Sequence, residues 1–157
     1  MMSKFKSLPL LAACALLVAC ECEKKAVDAP VVVDDEALRG SAADFIANVG
    51  DRVFYDFDKS SLSPESEATL KRQAEWLQKH NTRNVLIEGH CDPRGTREYN
   101  IGLGERRADA VAKFLINNGI DNGRVRTVSY GKDRPIEAQG TQDEVYKLNR
   151  VAISVIE

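Results

Sequence analysis

An apolar segment that runs through a polar loop into a long amphipathic helix is the feature that most constrains the fold of this 157-residue chain. Residues 85–87 are three consecutive apolar residues, as in a buried strand. Beyond the loop, apolar residues recur at the i, i+3, i+4 and i+7 positions of a helix: Ala108, Val111, Ala112 and Leu115. Because that helix must bury its apolar face against a sheet, the polar loop is held at the end of the strand.

Three further segments are predicted to be strands, at residues 52–57, 125–129 and 151–156, because they are rich in alternating β-branched and aromatic residues. Helices are predicted from Ser63 to about Lys79 and, more briefly, at residues 142–149. The order β-α-β-α-β-(α)-β predicts an α/β fold of the α+β sandwich type. One mixed sheet would carry the helices on one of its faces.

Residues 1–19 have the pattern of a secretory signal, a short basic region followed by an apolar stretch that is too short to span a membrane. The stretch ends in Leu-Val-Ala-Cys at Cys20, which resembles the lipobox of bacterial lipoproteins, where the cysteine becomes the acylated first residue of the mature chain. Cys14 closes a second match, but only about seven apolar residues precede it, so Cys20 is preferred. A signal that is cut elsewhere is the remaining interpretation.

Residues 20–40 are charged, contain alanine and proline and lack a clear period, which indicates a lipidated flexible tether. A regular hydrophobic pattern begins at Ser41, and residues 41–157 are enough for one folded domain. Phe45 is expected to pack on this domain from a short helix or turn. Removal of residues 1–19 leaves 20 basic against 24 acidic residues, a net charge of about −4. The chain therefore lacks the basic surplus of a nucleic-acid-binding protein.

Cysteine and histidine usage predicts neither a disulfide framework nor a metal site, and no cofactor is expected. Outside the signal boundary only Cys22 and Cys91 remain, one on the tether and one in the domain. His80 and His90 are the two histidines, and no CxxC or HxxxH spacing is present.

The block at residues 88–107 brings a carboxylate and a guanidinium that are 15 residues apart to one strand-to-helix junction, with the helix expected to begin near Tyr99. Asp92 can pair an ammonium and Arg107 a carboxylate, so the two suit a ligand that carries both groups. The alternative is a structural salt bridge between them. Arg106 points about 100° away from Arg107 on a helix and is expected to be solvated.

Four segments carry a resemblance to a known family: residues 54–62, 88–107, 129–135 and 148–150. They are similar to the OmpA-like domain family, over about residues 41–157. The resemblance implies a non-enzymatic protein that binds a diaminopimelate-type residue of the peptidoglycan stem peptide. With acyl chains at Cys20 in the lipid of the outer membrane, the domain would face the periplasm and link that membrane to the cell wall.

The resemblance assigns six residues to this ligand site: Phe57, Asp58, Asp92, Asn100, Leu103 and Arg107. The first two would provide backbone contacts. Asp92 would hold the ammonium, Arg107 would pair the carboxylate and Leu103 would line the pocket. The amide of Asn100 would fix the loop beside the ligand.

The lipoprotein branch of the family implies partners among the Tol proteins, with the soluble β-propeller protein TolB competing with the wall for the same face, and a role in envelope integrity and cell division. Two departures affect that partner surface more than the ligand site: Pro93 stands where a glutamate is common, and Val151 where a second arginine is frequent. The alternative is an anchoring subunit of another envelope machine, a motor or a secretion apparatus, which the short tether and single domain disfavour.

Two short motifs suggest enzymatic functions that their geometry disfavours. His90, Cys91 and Asp92 supply a base, a thiol and an orienting carboxylate, but successive strand residues point to opposite sides, so His90 and Cys91 cannot share a hydrogen bond. The Gly-Leu-Gly of residues 102–104 resembles part of a dinucleotide-binding loop, yet Arg107 stands where the third glycine should be. The chain is therefore predicted not to be an enzyme.

Acylation of Cys20 is a direct prediction of the lipobox-like pattern. Mass spectrometry of the mature N-terminus should find a diacylglyceryl-modified peptide that begins at Cys20. The Cys20→Ser variant should collect in the soluble periplasmic fraction or remain unprocessed. Modification at Cys14, or an unmodified N-terminus elsewhere, would contradict the assignment.

Overall fold

The structure is a computed structural model that describes residues 39–157. The predicted signal segment, the acylation site at Cys20 and the tether up to residue 38 lie outside the described residues. Within residues 39–157, none of the helices combines the length and the apolar character that a bilayer crossing requires.

Four strands and three α-helices follow the predicted order, and the short helix or turn expected around Phe45 contains a fourth α-helix, α1, before the first strand. Helix α1 continues directly into a π-helical turn, and a 3₁₀ turn precedes β3. The elements are α1 (Ala42–Asp44), the π-helical turn (Phe45–Val49), β1 (Arg52–Phe54), α2 (Pro64–Lys79), β2 (Val85–His90), α3 (Arg97–Asn117), the 3₁₀ turn (Asn122–Arg124), β3 (Val125–Gly131), α4 (Gln142–Asn149) and β4 (Val151–Ile156).

The four strands form one mixed sheet in the order β1-β4-β2-β3. Strands β2 and β3 are parallel, whereas β4 runs antiparallel to both of its neighbours. Strand β1 ends at Phe54, three residues before the predicted end, because the chain turns at Asp58, whose φ angle is 57°. The N–H of Tyr55 still donates to the carbonyl of Arg150 at 2.9 Å, so the loop leaves the sheet beside the start of β4.

Capping side chains set where the two long helices begin. The hydroxyl of Ser63 accepts the N–H of Ser66 at 3.2 Å, which starts α2 where the sequence predicts. The hydroxyl of Thr96 accepts the N–H of Tyr99 at 3.2 Å. Helix α3 therefore begins at Arg97, two residues earlier than predicted.

The hydrophobic core lies between one face of the sheet and helices α2 and α3, as predicted. Phe45 is fully buried and meets the ring of Trp76 edge-on, with the ring centroids 5.0 Å apart. Burial of each large apolar side chain contributes about 1.5–3 kcal/mol. Further fully buried core members are Leu70 and Leu77 of α2, Val85 and Ile87 of β2, and Ala108, Val111 and Leu115 of α3.

Helix α3 crosses strand β2 at a contact between two glycines. A Cβ atom at Gly89 would lie 2.0 Å from the backbone oxygen of Gly104, and one at Gly104 would lie 2.2 Å from Oγ of Ser129. The same hydroxyl donates to the carbonyl of Ile101 at 2.7 Å. Only glycine permits this approach, which fixes the early turns of α3 against the end of β2.

The glycine contact can be tested with two substitutions in the same helix. Gly104→Ala should lower the free energy of unfolding by about 1–3 kcal/mol, because its methyl group overlaps the Ser129 hydroxyl. Gly102→Ala is the matched control: its methyl group would lie 3.4 Å from the flexible end of Arg106, and alanine favours a helix by about 0.5–1 kcal/mol. Urea unfolding measures both. Equal stability of the two variants would show that the contact is not tight.

Candidate functional site

A cavity of about 150 Å³ opens between the loop after β1, the end of β2 and the first turns of α3. It is smaller than the roughly 300–1,000 Å³ of a cleft for a drug-sized ligand and suits the charged end of one amino acid. All six residues predicted to bind ligand line it, although their contacts with a ligand stay a prediction. The lining residues are Phe57, Asp58, Cys91, Asp92, Arg94, Gly95, Tyr99, Asn100, Leu103 and Arg107.

Arg107 forms the floor of the cavity and is fully buried. Its guanidinium donates to three backbone carbonyls: to Lys59 at 2.9 Å, to His90 at 2.8 Å and to Asp56 at 3.2 Å. A fourth, longer contact of 3.4 Å reaches Sγ of Cys91. Arg107 therefore joins the loop after β1 to the end of β2.

No carboxylate of residues 39–157 forms an ion pair with Arg107. Instead, the guanidinium carbon lies 5.1 Å from the centroid of the Tyr55 ring, whose hydroxyl donates to the carbonyl of Arg107. Burial lowers the pKa of the Arg107 guanidinium, although an arginine remains charged at any physiological pH. The floor of the cavity is thus a buried cation without an anionic partner among the described residues.

Asp92 has the opposite environment, because two arginines already pair its carboxylate. Arg94 donates from Nη2 to Oδ2 at 2.5 Å and from Nε to Oδ1 at 3.3 Å, and its backbone N–H reaches Oδ1 at 3.3 Å. Arg150 adds a bond from Nη1 to Oδ2 at 3.4 Å. Burial raises the pKa of the Asp92 carboxyl, but these hydrogen bonds outweigh it, and the pKa lies below its ordinary value.

The alternative interpretation of a structural salt bridge between Asp92 and Arg107 does not describe this structure. Each side chain has its own partners, and both line the same cavity. Arg106, on the neighbouring helix position, is exposed, as the helical spacing predicts.

Phe57 and Asp58 form the rim that faces α3. Asp58 adopts the left-handed conformation, and the hydroxyl of Tyr99 donates to its carboxylate, which raises the pKa of the tyrosine. Within residues 39–157, the backbone N–H groups of Phe57 and Asp58 have no hydrogen-bond partner. These two donors at the rim are unpaired among the described residues, and backbone contacts with a ligand there stay a prediction.

Asn100 holds the loop between β2 and α3. Its amide donates to the carbonyls of Arg94 and Thr96, at 2.7 and 3.0 Å. The thiol of Cys91 donates to the carbonyl of Asn100 at 3.4 Å, and burial raises the pKa of this free thiol. His90 makes its hydrogen bond elsewhere, through Nδ1 and the carbonyl of Arg134, so the thiol and the imidazole do not share one.

Sequence reasoning did not assign Arg94, Tyr99 or Arg150 to the site. Arg94 lies in the same polar loop as Asp92, which is a usable signal because a nearby guanidinium pairs a carboxylate. Arg150 precedes β4, 58 positions from Asp92, and only the pairing of β4 with β1 and β2 brings it there.

Known proteins are similar to this chain in sequence and in fold. The peptidoglycan-associated lipoprotein of Brucella melitensis is 47% identical over 120 residues, which cover 76% of this chain and 71% of that protein. The peptidoglycan-associated lipoprotein of Haemophilus influenzae is 38% identical over 160 residues, which cover 97% of this chain and 98% of that protein. The crystal structure of the peptidoglycan-associated lipoprotein from Burkholderia pseudomallei has a TM-score of 0.65 at 37% identity, and the match covers 68% of this chain and 90% of that one.

The OmpA family model matches residues 54–149, which contain every residue that lines the cavity. The match extends over more than half of the 157 residues. The chain therefore belongs to the OmpA family.

Proposed function

We propose that this protein is an outer-membrane lipoprotein whose domain binds the peptidoglycan stem peptide non-covalently, through a diaminopimelate residue. The observation that carries the proposal is the buried Arg107 cation on the cavity floor, which has no anionic partner among residues 39–157. A ligand carboxylate would give this guanidinium an anionic partner, and a charge-assisted hydrogen bond to a buried group is stronger than one in water.

The other polar groups of the cavity fit the same ligand. Asp92 lines the same cavity as Arg107 and can pair an ammonium that displaces one of its resident donors. The N–H groups of Phe57 and Asp58, which no described group pairs, can donate to peptide or carboxylate oxygens. Leu103, which is buried, gives the carbon chain an apolar wall. Relatives that cover two thirds or more of this chain are named peptidoglycan-associated lipoproteins, which supports peptidoglycan as the polymer.

Acyl chains at Cys20 would hold the tether in outer-membrane lipid, while the domain grips the wall from the periplasmic side. Charge-assisted hydrogen bonds of about 1.5–3 kcal/mol each give a weak, exchangeable clamp on one stem peptide. Many equivalent sites on one polymer then raise the avidity. The Tol proteins, with TolB as the soluble partner, would compete for the same face, and the link would support envelope integrity during cell division.

Binding should depend on Asp92 and Arg107 together. Asp92→Asn removes a charge without changing shape, and Arg107→Lys keeps a charge but loses the planar fork. Each should weaken binding of the full chain to purified sacculi by at least about 30-fold, or about 2 kcal/mol. The double variant should lose much less than the sum, because both residues act on one ligand. Co-sedimentation over a range of sacculus concentrations measures the affinities.

Two exposed residues on the same helix serve as matched controls: Asp109→Asn and Arg106→Lys should leave binding unchanged. Arg107→Lys also removes donors from buried carbonyls, so thermal melting must show that each variant is folded at the assay temperature. If the folded Asp92→Asn and Arg107→Lys variants bind sacculi with the same affinity as the wild type, the assignment of the site is rejected.

A further inference from the structure

We propose that Arg94 is a specificity-determining residue of the cavity. Its guanidinium pairs with the carboxylate of Asp92 in the ligand-free protein, and a ligand must carry an ammonium to displace it. The inference rests on the proposed function, and it adds a requirement that the presence of Asp92 and Arg107 alone does not impose.

The carboxylate of Asp92 has no acceptor position left for a ligand. A carboxylate offers about four lone-pair positions on its two oxygens. Arg94 takes three of them, through its backbone N–H, Nε and Nη2, and Arg150 takes the fourth. An ammonium can therefore reach Asp92 only if one of these donors leaves.

Arg94 is the partner that can leave. Its side chain is 43% exposed, whereas that of Arg150 is 14% exposed. Arg150 is also tied by Nε to the carbonyl of Tyr55 at 3.0 Å. Departure of Arg94 leaves Asp92 paired with Arg150, so the buried carboxylate never stands alone, which would be costly.

The guanidinium of Arg94 lies across the mouth of the cavity rather than in its depth. It stacks on the ring of Phe57, with 3.9 Å from the guanidinium carbon to the ring centroid, and lies 4.9 Å from the centroid of Tyr146 on α4. Phe57 is itself half exposed on the rim. The cation is thus held by two aromatic faces that border solvent and can swing outward without opening the core.

When an ammonium replaces the Arg94 guanidinium, Asp92 keeps the same number of cationic partners. The cavity therefore selects ligands that carry an ammonium. A zwitterionic end replaces Arg94 with its ammonium while its carboxylate meets Arg107. A ligand whose amine is acylated has nothing to offer Asp92 and leaves Arg94 in place. The cavity would therefore select the free amino-acid end of diaminopimelate over a blocked one.

Competition on sacculi tests this exchange with the full chain in detergent. Free diaminopimelate displaces the protein from sacculi, and the concentration that halves sedimentation is compared between wild type, Arg94→Gln and Arg97→Gln. The control residue Arg97 is exposed, carries the same charge and pairs with Asp133 at 2.7 Å, away from the cavity. Arg94→Gln should need about fivefold less diaminopimelate than wild type, and Arg97→Gln the same amount as wild type. Diaminopimelate acetylated on both amines should compete weakly and equally for all three.

A folded Arg94→Gln variant that needs the same or more diaminopimelate than Arg97→Gln would overturn the inference while the proposed function stands. Failure of the wild-type chain to sediment with sacculi would reject the proposed function, and the inference with it. Nuclear magnetic resonance of the wild type gives a readout that needs no variant. The Nε–H signal of Arg94 should shift toward that of a solvated arginine when diaminopimelate is added, and an unchanged signal on saturation would reject displacement.

Discussion

The buried guanidinium of Arg107 is the interaction on which the cavity depends. It binds the carbonyls of Lys59, Asp56 and His90, which belong to two separate segments of the chain. The carbonyls of Lys59 and Asp56 lie in the loop after β1, and that of His90 lies at the last residue of β2. One side chain therefore closes the loop after β1 onto the end of β2 and leaves its own charge beside the cavity.

The two charged poles of the cavity are unequal. The Arg107 cation is compensated by carbonyl dipoles and an aromatic face, whereas the Asp92 anion is held by two guanidinium groups. The free site therefore favours the carboxylate of a ligand over its ammonium. In the proposed complex, part of the ammonium's attraction would be spent on displacing a resident cation, so the zwitterion would be held loosely.

Local patterns in the sequence predicted most of the fold, because they report on periodicity and caps. The stripe of Leu70, Ala74 and Leu77, the short helix α4 and the last strand all lie where the sequence predicts. The predicted end of β1 was wrong by three residues. Tyr55 and Phe57 continue the aromatic alternation in the sequence, although the strand itself ends at Phe54. The partners of Asp92 were not foreseeable from spacing, because Arg150 reaches it only through the register of a distant strand.

The glycine contact and the arginine floor act on the same stretch of α3. Gly104 presses the helix onto Gly89, and Arg107 lies one turn later, so the cation has little freedom to move. Arg94 lies in the loop before the helix, and its side chain, although it contacts Asp92 and Phe57, is 43% exposed. At the other end of the central strand, Gly40 packs against His80 and donates to Asp44, which also accepts from Trp76. Asp44 therefore ties the first described residues to α2 through Trp76, by side chains that do not line the cavity.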